Sequence, residues 1–285
     1  MQYQDRLPPE GINTPNRHPL RDFLKLSVLA LLAIITFGFL LNTAGGTLGG
    51  FIPFKYELWL AEQIEAAAES SGQASPFEST VSNPELQQYL QTVADRVTEA
   101  MDIEESIPIT LHYSDDDLVN AYATIGGNVY FFKGLLSLLP HENALAMLMA
   151  HEFSHVTLRH TAKGLGSGLT LALGSSMMGI STENQLFGFA TKLTSSRFSR
   201  KMESDADKSA LHAVNAMYGH TNGADTLFRL FMQQRGAGGQ FEKFLSTHPL
   251  DEQRIERILR LAKDNDWQTG GEVTSLPPNY KQWLG

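Results

Sequence analysis

The chain's 285 residues are 42% hydrophobic and 19% charged, apolar enough for one large folded domain or two small ones and too apolar for a largely disordered chain. With 22 Lys and Arg against 31 Asp and Glu, the formal net charge is −9 with no long basic run, which argues against a nucleic-acid partner. The absence of cysteine excludes disulfide scaffolds, thiolate metal sites, cysteine nucleophiles, iron–sulfur clusters and lipoprotein anchors, so any metal has to be held by His and carboxylates.

In chain order, a polar leader over 1–22 carries Arg6, Arg17 and Arg21, and Lys25 follows it. From Leu26 to Phe54 there is no Asp, Glu, Lys or Arg. Counted from Phe23, the apolar stretch over 23–42 approaches the ~17–25 residues of a spanning helix. The positive-inside rule then makes 1–22 a cytoplasmic tail and places everything after about Gly50 outside the cytoplasm, as in a single-pass protein of a bacterial inner membrane with a periplasmic domain. A cleaved signal peptide is the main rival reading, although Asn42-Thr43-Ala44 is a weak cleavage site.

Gly45-Gly46 and Gly49-Gly50 suggest a flexible linker over 43–53, followed by one helix-rich domain over 54–265 and a tail over 266–285. Phe54–Glu69 and Asn83–Ala100 have helical spacing, and Asn83-Pro84-Glu85 supplies an N-cap, a proline at N1 and a first-turn acid. Ile107–Tyr113 reads as a strand and Asp115–Asp117 as a solvated turn. Ala121–Thr124, Gly126-Gly127 and Asn128–Lys133 read as a glycine-turned hairpin. Pro140 precedes a helix through Ala144, Leu148, His151 and His155. The fold class is therefore α+β, mainly helical with a small sheet.

His151-Glu152-Phe153-Ser154-His155 is an HExxH pattern. Two His four apart on a helix project from one face and can place both imidazoles on one Zn²⁺, while the Glu between them can reach a metal-bound water without ligating. An incidental surface helix fits badly, because the same stripe begins apolar with Ala144 and Leu148. A third ligand is needed. The extended metzincin spacing fails at Leu158 and Thr161, and His160 reads as a helix C-terminal residue near the negative end of the dipole. In Glu203-Ser204-Asp205-Ala206-Asp207, Glu203 and Asp207 share a helix face with Ala210, Val214 and Met217. Glu203 as ligand, with Asp207 orienting a ligand histidine, is the economical assignment; an acidic helix N-terminus is the plainer alternative.

HEFSHVTLRH, SRFSRKMESDAD and STHPLDEQRIERI, in that order, resemble the gluzincin metallopeptidases that include HtpX heat-shock proteases, CAAX prenyl endopeptidases and periplasmic quality-control proteases. NPELQQYL and NAYATIGGNVYFFKGLL extend the likeness, which runs from about Asn83 to Leu261. The resemblance implies a zincin-type domain with one Zn²⁺ per chain, His151, His155 and Glu203 as ligands and Glu152 as general base. It also implies that His248 and Arg254 face the open side of the metal. The single apolar segment and the short sequence after the last motif point toward the small, single-domain, extracytoplasmic members. The implied substrates are polypeptides, unfolded or misfolded proteins of the cell envelope.

Zinc would lower the pKa of a bound water to ~7, and Glu152 would take its proton during attack on a peptide carbonyl. His248 or Arg254 would then stabilise the oxyanion; alternatively His248 occupies the open position and holds the enzyme latent, or its His-Pro pair simply starts a helix. Asn120, Ala121 and Tyr122 are candidate substrate-binding residues on a strand edge that accepts an extended peptide, against ordinary hairpin packing. Gly164–Thr182 suggests a lid or apolar surface near the cleft, and Arg197 and Arg200 could pair with Asp205 or guard the site. His18, His112, His141, His212 and His220 have no ligand-like spacing. Two rival functions stand: a membrane-tethered chaperone or scaffold that does not cleave, which would have no need of Glu152, and a zinc amidase, for which no glycan-binding module is visible.

Overall fold

The computed structural model describes residues 18–72, 83–166, 197–233, 241–249 and 252–285, with isolated positions between 167 and 196. Most of Gly164–Thr182, the expected lid, lies outside the described residues. The chain divides into two units, 1–43 and 44–285.

Helix α1 (Pro19–Gly49) opens on a proline with Asp22 in its first turn, a favourable start next to the positive end of the dipole. Leu20, Phe23, Leu24, Leu26, Val28, Leu29, Leu31, Leu32 and Ile35 on it are all exposed. Among the described residues no helix is long and apolar enough to cross a membrane. The linker expected over 43–53 is helical as far as Gly49. Helix propagation adds one hydrogen bond per residue, and the glycines there do not outweigh that gain.

The second unit begins with α2 (Phe54–Ser70), which buries Phe54, Leu60, Ala61, Ile64 and Ala68 at helical spacing. In α3 (Pro84–Ala100) the Asn83 side chain accepts from the Leu86 N–H at 3.0 Å, the cap that its sequence implies. Strands β1 (Thr110–Ser114), β2 (Ala121–Ala123) and β3 (Asn128–Phe132) form one sheet in the order β1-β3-β2. β3 runs parallel to β1 and antiparallel to β2. β1 starts later than the apolar run suggests, since Pro108 has no N–H to give a ladder. Gly127 in the turn between β2 and β3 has φ +77°, and a Cβ there would sit 1.9 Å from the Pro108 carbonyl oxygen. Both the left-handed backbone and the close approach require glycine.

After the short α4 (Lys133–Leu136) comes α5 (Glu142–Thr157), buried from Glu142 to Val156. It is buried all round because it packs against α3, β2, α6 (His160–Leu165) and α7 (Arg200–Tyr218). α8 (Thr226–Gln233), α9 (Glu242–Thr247) and α10 (Glu252–Asp264) follow, with α10 packed against α7 and α8 against α10. The residues expected as a tail over 266–285 instead belong to the same compact unit. The Glu142 N–H donates to the Thr274 carbonyl at 2.8 Å, and the Thr274 N–H donates to Asn143 Oδ1 at 2.9 Å. In α11 (Tyr280–Leu284), Tyr280 and Leu284 are buried in the main core.

Candidate metal centre

The site begins with the cap of α5. His141 Nδ1 accepts from the Ala144 N–H at 3.1 Å, which starts the helix in the register that brings His151 and His155 to one face. Their Nε2 atoms lie 3.1 Å apart. α7 delivers the third group: the Ser199 hydroxyl caps it at the Met202 N–H, and Glu203 falls in its first turn. Glu203 Oε2 is 3.6 Å from His151 Nε2, and its Oε1 is 3.6 Å from His155 Nε2. His248, just after α9, joins them with Nδ1 3.2 Å from Glu203 Oε1 and 3.4 Å from His151 Nε2. Ligand atoms of these four buried residues lie within 4.8 Å of one another.

This donor set fits a divalent cation. Two imidazole nitrogens and a carboxylate oxygen converge in a site closed to water, a borderline-soft set that suits Zn²⁺. The set also demands positive charge. Burial lowers the pKa of His151, yet hydrogen bonds and charge from Asp207 and Glu203 outweigh it and push the ring up to about 10. Burial and the charge of His151 hold His155 well below its ordinary value. Glu203 is held well below the usual carboxylate range, since His248, His151 and Arg254 overcome the opposing effect of burial. Where ligands compete for protons in this way, binding a cation displaces a proton.

The surrounding groups orient the ligands. His151 Nδ1 is 3.0 Å from Asp207 Oδ1, so Asp207 stands where a carboxylate fixes the tautomer of a ligand histidine. Arg254 does not face the open side of the cluster, as the resemblance implied. It is buried behind Glu203 and Asp207, with Nε and Nη2 on the two Asp207 oxygens at 2.8 and 2.6 Å and Nη1 2.6 Å from Glu203 Oε2. Two buried carboxylates draw the guanidinium inward, because neither can be desolvated without a counter-charge. Nη1 also donates to the Pro249 carbonyl at 3.2 Å, beside His248. Glu152 is buried next to the ligands, 3.6 Å from His248 Nε2. Burial raises its pKa, against the charges of His248 and His151 and the backbone N–H of Ala123.

Further features escaped sequence reasoning. His160 does not end the active helix; it begins α6, and its Nδ1 lies 3.1 Å from His155 Nδ1. Burial and the charge of Lys163 lower its pKa to about 4. Phe198 stacks on His155 with ring centroids 3.7 Å apart, and Phe244 on His248 at 4.7 Å. Arg197 and Arg200 are exposed, and Asp205 pairs with Lys201 at 2.7 Å, an i,i+4 partner on its own helix. His112, His141 and His220 hydrogen-bond to Asn128, Thr226 and the Glu272 carbonyl, outside the cluster.

Beside α5, β2 is the edge strand of the described sheet. The Phe132 N–H donates to the Asn120 carbonyl and the Thr124 N–H to the Asn128 carbonyl, with Tyr122 opposite Tyr130 between them. Antiparallel alternation then turns the main-chain groups of Ala121 and Ala123, rather than Tyr122, to the open edge. Both polar atoms of the Asn120 side chain are buried with no hydrogen-bond partner among the described residues.

The family model of peptidase family M48 matches residues 84–262. Over 154 residues the chain is 32% identical to the mitochondrial metalloendopeptidase OMA1 of Schizosaccharomyces pombe, covering 52% of this chain and 45% of that protein. It is 27% identical to the beta-barrel assembly-enhancing protease of Escherichia coli over 188 residues, 61% of this chain and 38% of that protein. It is 22% identical to the metalloprotease LoiP of Escherichia coli over 205 residues, 69% of this chain and 79% of that protein. The chain thus spans less than half the length of the first two. These relatives do not single out the heat-shock or prenyl-endopeptidase branch of the earlier resemblance. Because the family match runs across every residue that converges on the cluster, from the sheet edge to Arg254, the chain belongs to peptidase family M48.

Proposed function

We propose that the protein is a zinc endopeptidase that cleaves extended polypeptide segments laid along β2. The observation that carries this reading is the convergence of His151, His155 and Glu203 beside the buried Glu152, next to the open edge of the sheet. His151, His155 and Glu203 would hold Zn²⁺, which when bound supplies a Lewis acid for the scissile carbonyl and lowers the pKa of water. Glu152, its carboxyl raised by burial, takes a proton at its side-chain oxygen and returns it to the leaving amine. The main-chain groups of Ala121 and the Ala123 carbonyl pair with the substrate backbone, and the orphaned Asn120 amide finds its partner there. Main-chain pairing reads no side chains, so unfolded segments of varied sequence would be accepted.

His248 supports a second reading of the same site. Its Nδ1 lies among the ligand atoms, so in this arrangement His248 closes the position that substrate needs, and the enzyme is latent. α1, with its exposed apolar side chains and with Arg21 and Lys25 near its start, is the membrane attachment in this reading. The positive-inside rule then puts the catalytic unit on the periplasmic side of a bacterial inner membrane. One Escherichia coli relative is named for beta-barrel assembly, which supports unfolded or misfolded envelope proteins as substrates and quality control as the role.

The test is β-casein cleavage by the full chain, with zinc measured on the same sample. Glu152→Gln should keep about one zinc per chain and lower cleavage by roughly 10²–10⁴-fold. His248→Ala should raise basal cleavage if His248 closes the site. Zinc without cleavage in every variant would favour a non-cleaving scaffold or an amidase, and a chain without zinc would overturn the reading.

A further inference from the structure

His155 presents Nε2 to the ligand cluster, 3.1 Å from His151 Nε2 and 3.6 Å from Glu203 Oε1. A neutral imidazole that ligates through Nε2 carries its proton on Nδ1, and that N–H needs an acceptor when buried. For His151 the acceptor is the Asp207 carboxylate. Among the described residues, no carboxylate stands in the equivalent place for His155. Its Nδ1 instead lies 3.1 Å from Nδ1 of His160, in a region where both rings are buried and Phe198 covers the face of His155.

Two Nδ1 atoms at this distance share one proton, with one ring donating and the other accepting. Ligation through Nε2 makes His155 the donor, so His160 accepts at Nδ1 and carries its own proton on Nε2. On this basis, which rests on the metallopeptidase reading above, we propose that His160 is a positioning residue that accepts the Nδ1 proton of His155 and so fixes the tautomer and ring plane in which His155 ligates.

The backbone is built for this contact. On an unbroken helix five residues turn ~140°, which would carry His160 away from His155. α5 ends at its C-cap Leu158, Arg159 takes the left-handed conformation with φ 62° and ψ 27°, and α6 starts at His160. That single reversal brings the second imidazole back to the first. A left-handed arginine is strained, and the fold holds it with Glu57 Oε1 at 2.6 Å, the Ile52 carbonyl and the face of Phe54 at 5.0 Å. The two ligand histidines are thus oriented by chemically different acceptors, a carboxylate for His151 and a neutral imidazole for His155.

The test compares His160→Asn with His160→Leu in the full chain. The two side chains have the same shape, but only Asn offers an oxygen where His160 Nδ1 stands. Zinc affinity is read by competition against a chromophoric chelator, and metal-free thermal unfolding checks the fold. Loss of such an acceptor weakens metal binding by about 10–100-fold, which is the expectation for His160→Leu, while His160→Asn should stay within about threefold of the parent. Equal affinity in all three proteins, or equal losses in Asn and Leu, would overturn the proposal. Should either variant fail to fold, ¹⁵N spectra of the zinc-loaded parent decide. A protonated Nδ1 on His155 and an unprotonated Nδ1 on His160 are expected, and the reverse would overturn it. A parent that binds no zinc would bring down the metallopeptidase reading itself, whereas a zinc-binding parent with an indifferent His160→Leu would bring down only this inference.

Discussion

At the scale of single residues, the site is held by charges that are expensive to bury alone. Arg254 is 1% exposed and faces Asp207 through two parallel bonds and Glu203 through a third nitrogen. Its removal takes the guanidinium away from two desolvated carboxylates, and breaking a buried pair of this kind costs about 3–5 kcal/mol. Arg254→Ala should therefore lower the unfolding free energy of the metal-free protein by that amount, measured by urea denaturation. Arg254→Lys should recover little, because an ammonium cannot reproduce the planar fork on Asp207. A Lys variant as stable as the parent would show that net charge alone matters at this position. The residues that form the cluster were legible in the sequence because HExxH and the Glu203/Asp207 spacing are local patterns on single helices. The side of the cluster on which Arg254 stands was not, since it depends on how α10 packs against α7.

At the scale of elements, α5 is the part on which the site depends, and its N-terminus is capped by a histidine. The cap needs a lone pair on His141 Nδ1, so it exists only while the ring is neutral. Burial lowers the pKa of His141 below its ordinary value of 6.5, against the opposing effect of its own backbone hydrogen bond. Between the folded and unfolded values the folded state binds fewer protons, so stability rises with pH through that window. The cap's contribution is complete above about pH 6.5 and fades as pH falls toward the folded value. His141→Asn keeps a capping acceptor without a titrating ring. Compared at pH 7.5 and 5.5, it should lose less unfolding free energy than the parent, by up to about 1 kcal/mol. Identical pH profiles for the two proteins would count against the cap. The helices α2, α3 and α5 and the hairpin of β2 and β3 follow from periodicity, caps and turn glycines. The break at Arg159 does not, because nothing in His-Val-Thr-Leu-Arg-His forbids another helical turn. Among the described residues, Glu57, Ile52 and Phe54, about a hundred residues earlier in the chain, hold that residue left-handed.

At the scale of the whole molecule, the C-terminal residues act as a strap. They bind the N-terminus of α5 through Thr274 and the end of α4 through Tyr280, whose hydroxyl donates to the Leu136 carbonyl at 3.3 Å. Tyr280 is 1% exposed and meets Tyr89 of α3 edge-on, with ring centroids 5.9 Å apart. Tyr280→Ala should cost about 3–5 kcal/mol of global stability, as other large-to-small changes in a packed core do. Urea denaturation followed by far-UV circular dichroism measures this. A midpoint unchanged from the parent would mean that the strap is merely laid on the surface.

The sequence by itself determined the α+β class, the helices that carry the ligands, and the residues His151, Glu152, His155, Glu203 and Asp207. Each is encoded by spacing within a few turns of one element, where backbone geometry translates position directly into direction. Tertiary structure alone decided that Arg254 backs the carboxylates, that His248 enters the cluster, that His160 returns to His155, and that Tyr280 and Leu284 near the C-terminus join the core. Those relations join segments far apart in the chain. They are set by which buried charges and hydrogen-bonding groups need each other once water is excluded, a condition that arises only when the whole unit has closed.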